Sequence, residues 1–371
     1  MGLYVLSIIF IICCTGSASG DNTVVDFPDP ELERAVRDAI DLPEGPIHTD
    51  DLEPLTILDW DTLDGGIIES LEGIQYCANL KILSLTFYDV SGLYADADPS
   101  VMDACVSDLT PLADCENLEQ LVLSDARVSD LSPLAGLDNL WFLSLTGNEI
   151  TVLDPLSEMT GLRDVYLSDN QITDLSPLDG LDGLVSIGLG NNLISDLSPL
   201  EDLHGIKFLI IPDNDISDIS LVADMPELFW LDITNNDVTD LGPISGLQEL
   251  SNLEISGNPI TDLAPLYDVP AVSMLVMKNL PIDDLRIDFV TSMPRLGNFH
   301  VGFNHLADLG PLNELQNLFL LVVNDNDITD LSPLLGIPDL SRVVAENNPL
   351  SEESINIVIP QLELHGTRVS Y

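Results

Sequence analysis

Positive charge is the scarcest thing in this chain. Its 371 residues hold 11 Lys and Arg against 63 Asp and Glu, for a net charge of −52, and only Lys81, Lys207 and Lys278 are lysines. Such a surface repels phosphate backbones, so nucleic acid is not an expected partner, and anionic membranes are disfavoured for the same reason. Self-repulsion keeps the chain soluble. Screening of carboxylates at high salt is a second account of the composition, one that bears on habitat and not on partner. Aromatic residues make up 5% of the chain while apolar residues make up 45%, so aliphatic side chains must fill the core. The five histidines (His48, His204, His300, His305 and His365) fall in no zinc-like spacing. Phosphate loops, G-x-S-x-G elbows and H-E-x-x-H stretches are also missing. Neither catalytic residues, nor a metal, nor a cofactor is expected.

Long apolar runs are confined to the N-terminus. Residues 1–20 carry no charge and pass from Leu3–Ile12 to the small residues Thr15–Gly20, the layout of a cleaved signal peptide, taken as 1–19 with cuts after Ala18 or Ser19. A basic leading segment is missing. A lipid anchor at Cys13 or Cys14 is the alternative, although Ile12 and Cys13 suit such a cut badly. No other segment is long and apolar enough for a transmembrane helix. Of the remaining cysteines, Cys77 and Cys115 align with Leu137 and Leu181 in one repeat column, and Cys105 lies in an insertion. Stacked neighbours in a parallel solenoid are about 4.8 Å apart, within disulfide reach. The alternative is that these cysteines are small buried hydrophobes in leucine positions.

What is abundant is periodicity. Asn148, Asn170, Asn192, Asn214, Asn236 and Asn258 are spaced 22 residues apart, as are Asn326 and Asn348, with Leu280 and Asn304 carrying the register between them. Each closes the phrase L-x-x-L-x-L-x-x-N-x-I/V/L, as in Leu162-Arg-Asp-Val-Tyr-Leu167-Ser-Asp-Asn170-Gln-Ile172. This is the signature of a leucine-rich repeat. It predicts an α/β, right-handed leucine-rich repeat solenoid, with a parallel concave β-sheet and a convex side of short 3-10 turns. The buried asparagine should satisfy backbone groups where the chain leaves the strand. Serine and proline in Ile172-Thr-Asp-Leu-Ser-Pro-Leu178 suit a tight convex turn.

The domain plan follows. After the signal, residues 20–57 form an N-terminal cap. Asp29 is its N-cap, Pro30 opens the helix, and Leu32, Ala35, Val36, Ala39 and Ile40 form one apolar stripe. About twelve repeats occupy 58–345, interrupted by an insertion at 91–106 and a two-residue excess around Leu285–Val290. A C-terminal cap fills 346–371, with Ser351 capping a helix and Thr367–Tyr371 closing as a strand. The phrase Leu71-Glu-Gly-Ile-Gln-Tyr…Asn79-Leu80, the repeated I-T/S-D-L-S-P-L and the ending Asn347-Asn-Pro-Leu-Ser-Glu-Glu-Ser-Ile355 resemble internalin-type bacterial leucine-rich repeat proteins over residues 27–371. That resemblance implies an extracellular binding protein. No immunoglobulin-like module, wall anchor or wall-binding repeat is expected from these residues, and no receptor-contacting residue carries over.

Two outward features remain. Asp108, Asp130, Asp174, Asp196, Asp218, Asp240, Asp262, Asp284, Asp308 and Asp330 form a column broken only by Val152. Stacked carboxylates repel by roughly 1 kcal/mol per pair in water, so each is expected to cap the following turn, with a row of cation sites as the sharper alternative. The other feature is the concave face, where residues beside the inward leucines of L-x-L point outward. There Phe142, Tyr166, Phe208, Ile210 and Trp230 form an aromatic band edged by Asp164, Asp232 and Glu254. Met274, Val276, His300, Leu320 and Val322 extend it. Aromatic anchors in a polar rim suit protein recognition, although rings on adjacent strands also pack on one another for stability alone. The expected function is therefore non-catalytic binding of a protein, less readily a glycan, by a secreted or cell-surface monomer. The alternatives are an intracellular regulatory scaffold resembling leucine-rich phosphatase regulators and a structural acidic surface protein.

Overall fold

The computed structural model describes residues 22–61, 66–86, 105–283 and 285–371. The signal at 1–19 with Cys13 and Cys14, all but the last two residues of the 91–106 insertion, and Asp284 lie outside the described residues. Fourteen strands, from Ile57–Asp61 to Arg368–Ser370, form one parallel sheet in which each strand pairs with its neighbours in chain order. Thirteen of them fall within or at the start of the span read as about twelve repeats. Register is kept throughout: Leu209 pairs with Leu231, Leu231 with Leu253 and Leu253 with Leu275. A 22-residue period returns the same column to the same height, and the pairing also survives the longer steps from Leu58 to Leu83, Leu83 to Leu121 and Leu275 to Phe299. The opposite side is built of 3-10 turns such as Ser176–Leu178 and Ser198–Leu200, each with proline near its start.

Leucine and isoleucine columns fill the interior as one continuous core, with Leu143, Val165, Ile187 and Leu209 wholly buried. Nine asparagines run beside it. Asn170 donates from Nδ2 to the carbonyls of Leu145, Leu167 and Ser168 at 3.0–3.1 Å and accepts the Ile150 N–H at 2.9 Å. Its two near carbonyls lie in its own turn, and the other two partners lie in the turn before. One side chain therefore satisfies four backbone groups and joins two turns, and Asn192 and Asn236 repeat this geometry.

Both ends are covered. Asp29 Oδ1 accepts the N–H groups of Glu31 and Leu32 at 2.9 Å, capping the helix Pro30–Ile40. Its Oδ2 accepts those of Glu69 and Ser70, tying the helix to the next turn. Of the predicted stripe, Leu32, Ala35 and Val36 are buried, whereas Ala39 is exposed because the helix unwinds at Asp41 in the left-handed region. The cap also holds an antiparallel pair, Val24–Val25 with Ile47–His48, that periodicity does not announce. At the other end Ser351 Oγ accepts the Ser354 N–H at 3.1 Å. Residues Ser354–Val358 then form a π-turn before the α-helix Ile359–Leu364. Pro360 lacks the N–H that an α-helical ladder would need there. The closing strand Arg368–Ser370 pairs with Arg342–Val344.

Cys77, Cys105 and Cys115 are free thiols, so the disulfide alternative is not what the structure shows. Cys77 and Cys115 occupy leucine positions and are fully buried. Burial pushes their pKa values up to about 12 and about 11 respectively, which leaves them inert as nucleophiles.

Candidate binding surface

Along the sheet, inward residues are buried and the residues between them are half-buried, as alternation requires. All thirteen positions singled out on the concave face, from Phe142 to Val322, take the outward places of their strands. Phe142 and Tyr166 have ring centroids 5.7 Å apart. Phe208 packs on Phe229 at 5.9 Å, and Trp141 packs edge-on against Phe142 at 5.9 Å. Trp141 and Phe229 are additions to the predicted band. They stand one residue before the outward position, where the chain bends into the strand, and simple alternation does not count them.

The band is not continuous. Ser186 and Gly188 sit between Tyr166 and Phe208, and both are buried although they face outward. Tyr166 covers them. A Cβ on Gly188 would meet the Tyr166 ring at 2.7 Å, and the Tyr166 hydroxyl lies 2.9 Å from Ser186 Oγ. Small residues here let one large ring lie across two strands.

Charge is distributed unevenly. Asp232 and Glu254 are direct partners on adjacent strands. Burial pushes the Asp232 carboxyl up, against the hydrogen bond that Oδ1 accepts from Thr234 N–H at 2.9 Å. Burial also raises Glu254, and the neighbouring Asp232 adds to it. Asp164 is raised by burial, with Arg163 opposing. The Trp230 indole N–H is buried without a partner in hydrogen-bonding geometry and lies near Glu254, whose carboxyl it draws partly back down. Further along, burial and then Lys278 hold the His300 imidazole below its ordinary value. Arg342 and Arg368 face each other on the last two strands, and both are exposed.

The aspartate column resolves as caps. Asp174 Oδ1 accepts the Ser176 N–H at 2.8 Å, Asp196 that of Ser198 and Asp262 that of Ala264. The other described members do the same. These hydrogen bonds hold Asp108, Asp130, Asp174 and Asp196 below the usual carboxylate range. No three His, Cys, Asp or Glu side chains among the described residues gather to hold a metal ion.

One further column was not foreseen. Residues just before the ladder asparagines adopt left-handed φ and are Asn, Asp or Gly throughout, except Phe303 at φ 58°. Within this column Asn191 donates to Asp169, Asn235 to Asp213 and Asn347 to Asp325 at 2.7–2.9 Å. Phe303 makes no such bond and is 55% exposed.

A leucine-rich repeat family model matches residues 138–180 and 160–202. No curated protein matches the chain. Among solved structures, the internalin InlF of Listeria monocytogenes is 25% identical, with a TM-score of 0.77 over 92% of this chain and 95% of that one. The internalin InlC2 of the same species is 29% identical, with a TM-score of 0.53 over 71% of this chain and all of that one. The functional domain of Listeria InlJ, which includes a cysteine ladder, shares the fold at 19% identity and a TM-score of 0.53, covering 86% of this chain and 80% of that one. With its repeated phrase, asparagine ladder and fourteen-stranded parallel sheet, this chain is a leucine-rich repeat solenoid, similar in its architecture to the internalins.

Proposed function

We propose that this chain is a secreted, non-catalytic binding protein that takes up a protein partner on its concave face. The observation that carries the proposal is the row of rings at Phe142, Tyr166, Phe208, Phe229 and Trp230, held outward by strands whose inward residues already complete the core. Phe229 is 40% exposed. Rings of this kind, beside half-buried acids, supply contact area at little entropic cost and define a polar rim. The likeness to internalins supports a binding module, and the leader at 1–19 supports secretion.

The test is to capture partners with the mature protein and to measure their affinity for it and for Phe208→Ala/Trp230→Ala. The double variant should bind at least about 2 kcal/mol more weakly, roughly thirtyfold. Equal affinity would remove the concave face from the account. Secretion is read separately, from a mature N-terminus just after Ala18 or Ser19.

A further inference from the structure

Base is so scarce here that its placement carries information. Six of the eleven Lys and Arg side chains are ion-paired: Arg34, Arg37, Lys81, Arg127, Lys207 and Arg286. Among the described residues the other five, Arg163, Lys278, Arg295, Arg342 and Arg368, form no ion pair, and two of these, Arg342 and Arg368, are neighbours. They stand directly opposite on adjacent parallel strands, an arrangement that costs stability. Charge on an edge strand guards against strand addition, and this accounts for Arg368. It does not account for Arg342, whose strand is paired on both sides.

The opposite sign occupies the other half of the same face. Asp232 and Glu254 stand side by side, half-buried, and neither forms an ion pair among the described residues. Asp232 lies beside Trp230 and across from Ile210, so a planar cation there meets both carboxylates and a ring face. Between the two charged sites the outward residues Met274, Val276, Leu320 and Val322 are apolar, with the polar Asn298 and His300 on the strand between the two pairs. Asp232 to Arg342 and Glu254 to Arg368 are each five strands apart, about 24 Å at a spacing of about 4.8 Å.

We infer that the concave face takes a partner segment of fixed polarity, seating a guanidinium or ammonium on Trp230, Asp232 and Glu254 and a carboxylate on Arg342 and Arg368. This rests on the concave face being the binding face, and charge complementarity selects the occupant. An extended segment spans about 24 Å in about seven residues, with apolar side chains meeting the strip between.

The test is to pan a displayed random-peptide library on the whole protein at about 0.3 M salt, where exposed charges are screened. Selected peptides should carry a base and an acid about seven positions apart. Replacing the peptide arginine with neutral citrulline should weaken binding at least about tenfold on the native protein and leave it unchanged on Asp232→Asn/Glu254→Gln. Replacing the peptide acid with its amide should do the same, with the effect abolished in Arg342→Gln/Arg368→Gln. Glu201→Gln/Asp202→Asn, a matched charge change at exposed positions away from this face, should alter neither result. Peptides that depend on Phe208 and Trp230 but lack the charge pair, or whose charge effects persist in the neutralised variants, would overturn the polarity and spare the concave face. Peptides that bind Phe208→Ala/Trp230→Ala as tightly as the native protein, or a library with no saturable binder, would count against both.

Discussion

Tyr166 and Asn170 lie four residues apart in the same turn, one facing out of the solenoid and the other into it. Asn170 has eight counterparts in the structure with the same hydrogen bonds. From Ser144 to His300 the column of Tyr166 reads Ser144, Tyr166, Gly188, Ile210, Asp232, Glu254, Val276 and His300, eight residue types on eight strands, and only toward its ends does valine recur, at Val122, Val322 and Val344. On the inner side the same four backbone groups recur in every turn that carries the asparagine, and an amide side chain of that size and donor pattern meets all four. The outer side meets solvent and is free to differ from strand to strand. Uniformity therefore records the fold, and variation records what the face is fitted to meet.

The sharpest way to break this contrast is to damage one rung. Asn192→Ala leaves the Ile172 N–H without a partner and takes one of two donors from each of the Leu167, Leu189 and Gly190 carbonyls, and should cost about 3 kcal/mol, read from the denaturant midpoint. A cost below about 1 kcal/mol would mean that water replaces the side chain. Next in size are the convex caps. Asp262→Ala removes the bond to Ala264 N–H and should cost about 1 kcal/mol, while Asp262→Asn should be close to neutral. Phe303 breaks the rule of its column, since a left-handed φ disfavours a bulky residue. Phe303→Asn should therefore gain up to about 1 kcal/mol, which a thermal melt would show.

The smallest effect concerns the acids of the concave face. Burial raises Asp232 and Glu254, so the folded state holds their protons more tightly than the unfolded chain does. Their charge therefore costs stability at neutral pH, and the cost is relieved as pH falls through the raised values. Asp232→Asn/Glu254→Gln should be more stable than the native protein at pH 7. The difference should close as pH approaches the ordinary carboxylate values of 3.8 and 4.5. The caps behave oppositely. Asp108, Asp130, Asp174 and Asp196 are held low, so their contribution is complete above 3.8 and lost as pH falls through their lowered values.

Most of the fold was legible because it repeats. Asparagine spacing located the ladder, alternation placed Phe142 to Val322 outward, and Asp29 with Pro30 located the first helix. What escaped has local causes. Trp141 and Phe229 sit at the bend before the strand, outside strict alternation. The opposition of Arg342 to Arg368 depends on pairing between a repeat and a cap that shares none of its phrase. The π-turn at Ser354–Val358 and the Val24–Val25 pairing are tertiary adjustments at the two ends, where periodicity stops.

The most direct test sets the two sides against each other by measuring the denaturation midpoints of Phe208→Ala/Trp230→Ala and Asn192→Ala beside the native protein. The account predicts that removing two large outward rings shifts the midpoint less than removing one buried amide. If the double variant were destabilised as much as Asn192→Ala, the concave rings would be part of what holds the solenoid together, and the division between a folding side and a binding side would fail.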